Sequence, residues 1–335
     1  MLRYILQRLL QLIPTVLGIT VIVFVLFRMV ADPAEAILGL HGTAQQMEEL
    51  RRSLGLYDPL YVQYGRWLVD LLHGNLGMSW YMKRPVMDLV LGHFPHTLEL
   101  TIAAMVITAA IGIITGVLAA VRQQTWVDYS SMMISLVAVS MPIFWLGLVV
   151  IGFFSVKLGW FPLNGRMDPV MLANFKSPTN FFTFYALFTG QWRVLGSLLH
   201  HLVLPAAVLA CATTALVARI TRSTMLEVIR LDYVRTARSK GLAERTVIYK
   251  HALKNAMIPV TTVIGLQFGA LLGGAVLTES IFSWPGIGSL TLQAIGNNDL
   301  PLIQGIVILG SSCFVLVNLI VDLTYGFLDP RIRYT

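Results

Sequence analysis

Six stretches of this 335-residue chain contain no Asp, Glu, Lys or Arg: 9–27, 100–121, 129–156, 194–218, 255–278 and 302–321. The shortest has 19 residues, and about 20 apolar residues cross the hydrocarbon core of a bilayer as a helix. A helix satisfies its own backbone hydrogen bonds in that solvent, which a lone extended segment does not. The sequence therefore predicts an all-α, polytopic membrane protein with six transmembrane helices in a single domain. Composition agrees: 56% of the residues are hydrophobic and 12% are charged, about half the charged share of a soluble domain. A water-soluble enzyme and a disordered chain are both excluded. A seventh apolar piece, 181–188, is too short to cross and reads as interfacial or re-entrant.

The first stretch follows Arg3 and Arg8 and precedes a small-x-small triplet, Ala34-Glu35-Ala36, as a secretory signal would. Its apolar run is longer than that of a signal and holds Pro14, so it reads as a retained anchor. Cys211 and Cys313 lie inside apolar stretches, a placement that supports neither a disulfide framework nor a zinc site.

An even number of spans puts both termini on one side. That side holds 1–8, 122–128, 219–254 and 322–335, which are 65 residues with 14 Lys and Arg; the other side has 132 residues with 10. Basic residues accumulate on the cytoplasmic side. Both termini are expected there, and 28–99 becomes a large first external segment. The net charge of +7 follows from this bias, and nucleic acid is not needed to explain it.

Within the external segment, Tyr57-Asp58-Pro59 marks a turn. Tyr61, Tyr64, Trp67, Leu68, Leu71 and Leu72 then recur at helical spacing until His73-Gly74-Asn75. Such a helix packs on the bundle or the membrane surface, or helps form an outer gate or a docking surface for an external partner. Segment 219–254 carries nine basic and three acidic residues. Met225, Ile229, Tyr233 and Ala237 recur every fourth residue, which predicts one apolar helix face. Gly241 stands where a helix takes a left-handed C′ residue, and a second short helix is expected over 244–254 with Val247, Ile248 and Leu253 buried. The segment reads equally as a lever moved by another protein and as an amphipathic helix on anionic lipid.

Pro14, Pro142, Pro205 and Pro259 lie in the apolar stretches, where they permit kinks. Gly265, Gly269 and Gly273, and also Gly112 and Gly116, repeat every four residues and would let helix backbones approach closely. Met141, Pro142 and Trp145, near the third stretch, read as core packing, with the lining of a translocation cavity as the alternative. Glu279 and Asp322 fall at span ends, where hydrated or capped carboxylates are expected. No Asp/Glu/His relay crosses the spans, which disfavours a proton-coupled pump. There is no GxxxxGK[ST], HExxH or GxSxG motif. His200 and His201 are adjacent and cannot present a metal pair from one helix face. No catalytic residue, metal site or cofactor site is expected in this chain.

The string DYVRTARSKGLAERTVIYKHALKNAMIPV, residues 232–260, resembles the cytoplasmic coupling loop of ATP-binding cassette importer permeases. It is most similar to the B-type subunit of the dipeptide/oligopeptide/nickel branch. The importer motif of Glu-Ala-Ala, three residues and Gly is met here by Arg235, Thr236, Ala237 and Gly241. Arg-Thr-Ala is the peptide branch's variant; the motif's later Leu matches Leu253, and Lys254 stands in place of its Pro. Further similarity runs through LIPTVLGIT, LGLYDPLYVQYGRWL, SMPIFWLG, TESIFSWPGIG and NLIVDLTYGFLDPRIRY, nearly the whole chain. Val30-Ala31-Asp32-Pro33 departs from the family's Pro-Gly-Asp-Pro.

The resemblance implies a permease subunit of an ATP-driven importer of dipeptides or short peptides in the cytoplasmic (inner) membrane. It implies three kinds of partner besides the lipid bilayer. These are a second homologous permease, two P-loop ATPase subunits that bind ATP and Mg, and an extracytoplasmic substrate-binding protein. Asp232, Arg235, Thr236, Ala237, Arg238 and Gly241 would form the ATPase-coupling loop. Nickel chelates, glutathione or another small solute remain as alternative cargo, and a stand-alone channel or secondary carrier as an alternative class.

Overall fold

The computed structural model describes residues 2–30, 34, 43–273 and 275–328. The departure at 31–33, most of the 34–36 triplet, the end of the last family motif and the side chain of Asp322 lie outside these. In chain order the helices begin with α1 (Leu2–Val30), α2 (Ala44–Ser53), α3 (Leu60–Leu72) and α4 (Val86–Val121). Next come α5 (Trp126–Ser140), α6 (Ile143–Lys157), α7 (Pro169–Asn174), α8 (Phe182–Phe188) and α9 (Trp192–Ile229). The last are α10 (Asp232–Ser239), α11 (Glu244–Leu272), α12 (Val276–Ile281), α13 (Ile287–Gly296) and α14 (Leu300–Leu328). No strand occurs among the described residues.

The centre is the pair α4 and α9, of 36 and 38 residues. Glycine lets their backbones approach. A Cβ on Gly112 would lie 2.9 Å from Val217, and one on Gly116 would lie 2.6 Å from the Ala218 carbonyl. The hydroxyls of Thr108 and Thr213 meet at 2.8 Å beside these contacts. Residue numbers rise together along both helices, so the two run parallel. The chain must therefore travel the length of the bundle between them, and α5 with α6 makes that return.

The return is not straight. The two helices meet at 103° across Met141 and Pro142. Pro142 has no N–H to offer the Ala138 carbonyl, and Met141 and Pro142 are extended, with ψ of 128° at both. The stretch 129–156 is thus two helices, which together are long and apolar enough for one broken span. Pro14, Pro205 and Pro259 stay inside continuous helices. Five helices (α1, α4, α9, α11, α14) are long and apolar enough to cross a membrane, and the bent pair makes six.

Apolar layers follow α4 from end to end. At one end Val86, Leu89 and Val90 pack with Ile287, Leu290, Ala294, Leu302 and Ile306 of α13 and α14. In the middle Leu100 and Ala104 meet Leu202, Ala206 and Leu209 of α9, with Trp284 alongside. At the far end Val117 and Ala120 join Met225 and Val228 of α9 and Ile248, Ala252 and Ala256 of α11.

Helix limits differ from the charge-free stretches because a helix does not stop where its first charge appears. α4 begins at Val86, fourteen residues inside the expected external segment, with Pro85 at its N-cap. α9 continues to Ile229, and Glu244 opens α11 rather than a separate short helix. The connection proper is 230–243, shorter than the expected 219–254. α11 stops at Leu272, and Thr278 belongs to α12. α8 has seven residues, and α3 lies against α1 through Phe24, Tyr64 and Trp67.

Candidate functional site

Met225, Ile229, Tyr233 and Ala237 do not share one helix. The chain breaks at Arg230 and Leu231, and Leu231 is extended (ψ 148°) at the start of α10. Neither Gly nor Pro marks this break; Asp232 in the first turn is favourable for a new helix N-terminus. The buried side of α10 is instead Val234 and Ala237, which pack on Val247. Tyr233 turns outward and its hydroxyl accepts from Asn255 Nδ2 at 2.8 Å. These contacts seat α10 on the first turns of α11, which are π-helical over Val247–Ala252.

Gly241 has φ +77°. Its N–H donates to the Arg238 carbonyl (2.9 Å), and the Leu242 N–H reaches that of Ala237 (3.4 Å). This is the double closure of a Schellman end. Arg238 fastens the same turn from outside, with Nη2 2.6 Å and Nε 3.1 Å from the Glu244 carboxylate. The hydrogen bond to Glu244, against partial burial, raises the pKa of the guanidinium above its ordinary value. Arg238 is thus engaged within the chain. Arg235 is different: its side chain is 73% exposed and only approaches Asp232, at 3.7 Å. Thr236 and Lys240 are exposed beside it. α10 therefore offers Asp232, Arg235, Thr236 and Lys240 to whatever lies beyond this end of the bundle.

Met141, Pro142 and Trp145 come together at the bend, where Leu136, Val137, Ser140 and Phe144 complete an apolar hollow of about 580 Å³. Broken backbone at membrane depth is tolerated where it is buried in protein or lines a cavity. Gly265 and Gly269 are buried in α11, and a Cβ on Gly269 would lie 2.9 Å from the Phe314 ring of α14. Gly273 is the residue that caps α11, not a third member of that helix face.

Periodicity did not find the strongest polar cluster. Glu279, expected as a hydrated or capped carboxylate, is fully buried and capped. Its carboxylate accepts from Thr97 Oγ1 (2.7 Å) and from the N–H of Ser289 (3.0 Å) in the first turn of α13. Thr97 in turn accepts the Ile287 N–H at 2.8 Å. A Cβ on Gly286 would lie 2.4 Å from Glu279 Oε1, so the glycine makes room for the carboxylate. Nearby, Arg166 pairs with Glu99, both buried, and its guanidinium lies 4.2 Å from the centroid of Phe182. The Gly-Ile-Gly spacing in TESIFSWPGIG was the available signal for the first of these clusters. His200 and His201 bond separately to the carbonyls of Trp160 and Ser197.

Residues 112–334 match the family described as binding-protein-dependent transport system inner membrane component, and 1–101 match its N-terminal companion. The chain belongs to this family. As such an inner membrane component it is a multi-pass membrane protein of the ATP-binding cassette permease class. Its relatives include the dipeptide transport system permease protein DppB of Alkalihalophilus pseudofirmus, 46% identical over 338 residues and 100% of each chain. The di/tripeptide transport system permease protein DppB of Pseudomonas aeruginosa is 46% identical, over 100% of this chain and 99% of that one. The glutathione transport system permease protein GsiC of Escherichia coli is 40% identical over 100% of both. The fold is similar to an inward-facing structure of the MetNI methionine transporter, with a TM-score of 0.53 and 18% identity, over 72% of this chain and 97% of that chain.

Proposed function

We propose that this chain is a permease subunit of an ATP-driven importer of dipeptides or short peptides. It would share the pathway with a second homologous permease, take energy from two P-loop ATPase subunits that bind ATP and Mg, and receive cargo from an extracytoplasmic binding protein. The observation that carries the coupling role is α10, a short helix seated by Val234 and Ala237 that exposes Asp232, Arg235 and Thr236. The bias of basic residues supports placing α10 and both termini in the cytoplasm and 28–85 outside. Closure of the ATPases would then press on α10, and the bundle would alternate its opening around the hollow at Met141, Pro142 and Trp145.

The names of the two DppB relatives support peptide cargo. The GsiC relative favours a second reading, glutathione, within the same mechanism. The test is to tag the chain, purify it in mild detergent from its own cell and identify what accompanies it. A second permease and P-loop ATPases are expected. A lone chain, with those ATPases expressed but absent, overturns the reading in favour of a channel or carrier. Uptake of labelled dipeptide by the recovered complex, challenged with glutathione and with a nickel chelate, then assigns the cargo.

A further inference from the structure

α5 is attached to the rest of the bundle in an unusual way. Asp128, 2% exposed, is the one buried residue of its fifteen. Trp126, Tyr129, Met133, Ile134 and Leu136 are each more than half exposed. The Asp128 carboxylate meets the guanidinium of Arg222 on α9 as a fork, through Nε and through Nη2 at 2.7 Å. It also accepts the N–H of Gln124 at 3.0 Å. Gln124 has φ +62°, so the turn between α4 and α5 closes around the same carboxylate. Arg222 lies two helical turns before the end of α9, where α10 begins. α5 leads in the other direction to the bend at Met141.

We propose that Asp128 and Arg222 are a positioning pair that carries movement of α10, through the end of α9, into the broken helix that forms the apolar hollow. The proposal rests on the permease reading above. Two parallel N–H···O bonds fix both the distance and the rotation of α5 against α9. The exposed apolar side chains of α5 give no such registration. When the end of α9 tilts, a forked pair obliges α5 to follow, whereas a helix held by loose apolar contact slides.

The experiment uses the whole transporter in proteoliposomes with its binding protein, and measures peptide uptake and ATP hydrolysis per assembled complex. Asp128→Asn and Arg222→Gln are expected to lower peptide moved per ATP by about five- to tenfold while hydrolysis stays within about twofold. Arg222→Lys, which keeps the charge and loses the fork, should fall between these and the wild type. The swap Asp128→Arg with Arg222→Asp should recover much of the lost ratio. If uptake and hydrolysis fall in proportion, or neither changes, in Arg222→Lys and in whichever other variants assemble, the pair is packing alone and the proposal is overturned. Failure of the wild-type complex to couple ATP to peptide uptake would overturn the permease reading instead.

Discussion

Arg235 and Arg238 stand three positions apart, and the fold gives them different neighbours. Arg235 is free to meet a partner; Arg238 already holds Glu244 across the turn at Gly241. Arg235→Glu should leave the isolated chain as stable as before, because an exposed ion pair contributes about 0–1 kcal/mol, yet it should weaken ATPase docking. Arg238→Glu sets two carboxylates against each other and should loosen the loop itself. Proteolysis of 230–243 separates the two: faster cleavage is expected for Arg238→Glu alone. Glu279 belongs to the same scale. Glu279→Ala strips the acceptor from Thr97 and from the first turn of α13 and leaves a void, a loss of about 3 kcal/mol. Thermal unfolding of the purified chain should show it. Glu279→Gln, which keeps an acceptor oxygen, should lose less.

At the scale of the helix, glycine spacing and charge-free length carried most of what was readable. Gly112 and Gly116 point to a close helix pair, and α4 and α9 supply it. Gly116→Leu would drive a side chain into the Ala218 carbonyl and Thr221. Overpacking of this kind costs about 1–3 kcal/mol or more, so reduced yield and a lower unfolding temperature are expected, while Gly152→Leu, with nothing within 4 Å, should pass unnoticed. Other features were not legible for definite reasons. The break at Arg230 and Leu231 has no proline or glycine and follows from α10 docking on α11, a tertiary contact that overrides local periodicity. Pro142 looked like three other prolines, and only the packing decides that it alone divides its helix. Gly273 kept the four-residue spacing but falls past the helix end. The buried carboxylates of Glu99, Asp128 and Glu279 find their main partners at least ten residues away, beyond the reach of a helical pattern.

For the molecule as a whole, the direction of α9 decides how many times the chain crosses. Were α5 and α6 a re-entrant loop, α9 would start at the end where α4 stops and the two would lie antiparallel. They are parallel: Thr108 meets Thr213, and Gly116 meets Ala218 and Thr221. The bent pair is therefore expected to span, which predicts six crossings and puts Thr125 and Lys176 on opposite sides of the membrane. In a background with Cys211 and Cys313 replaced by Ala, single cysteines at Thr125, Lys176 and Lys240 test this with a membrane-impermeant maleimide. Thr125 and Lys176 are exposed, so access to the reagent there is set by the side of the membrane; Lys240 is exposed too, on the face proposed to meet the ATPases. In intact cells with a permeable outer layer, Lys176→Cys should label at once. Thr125→Cys and Lys240→Cys should label only after the inner membrane is opened. Labelling of Thr125→Cys together with Lys176→Cys from outside would mean that the bend turns back, and with it the parallel packing of α4 and α9 would fall.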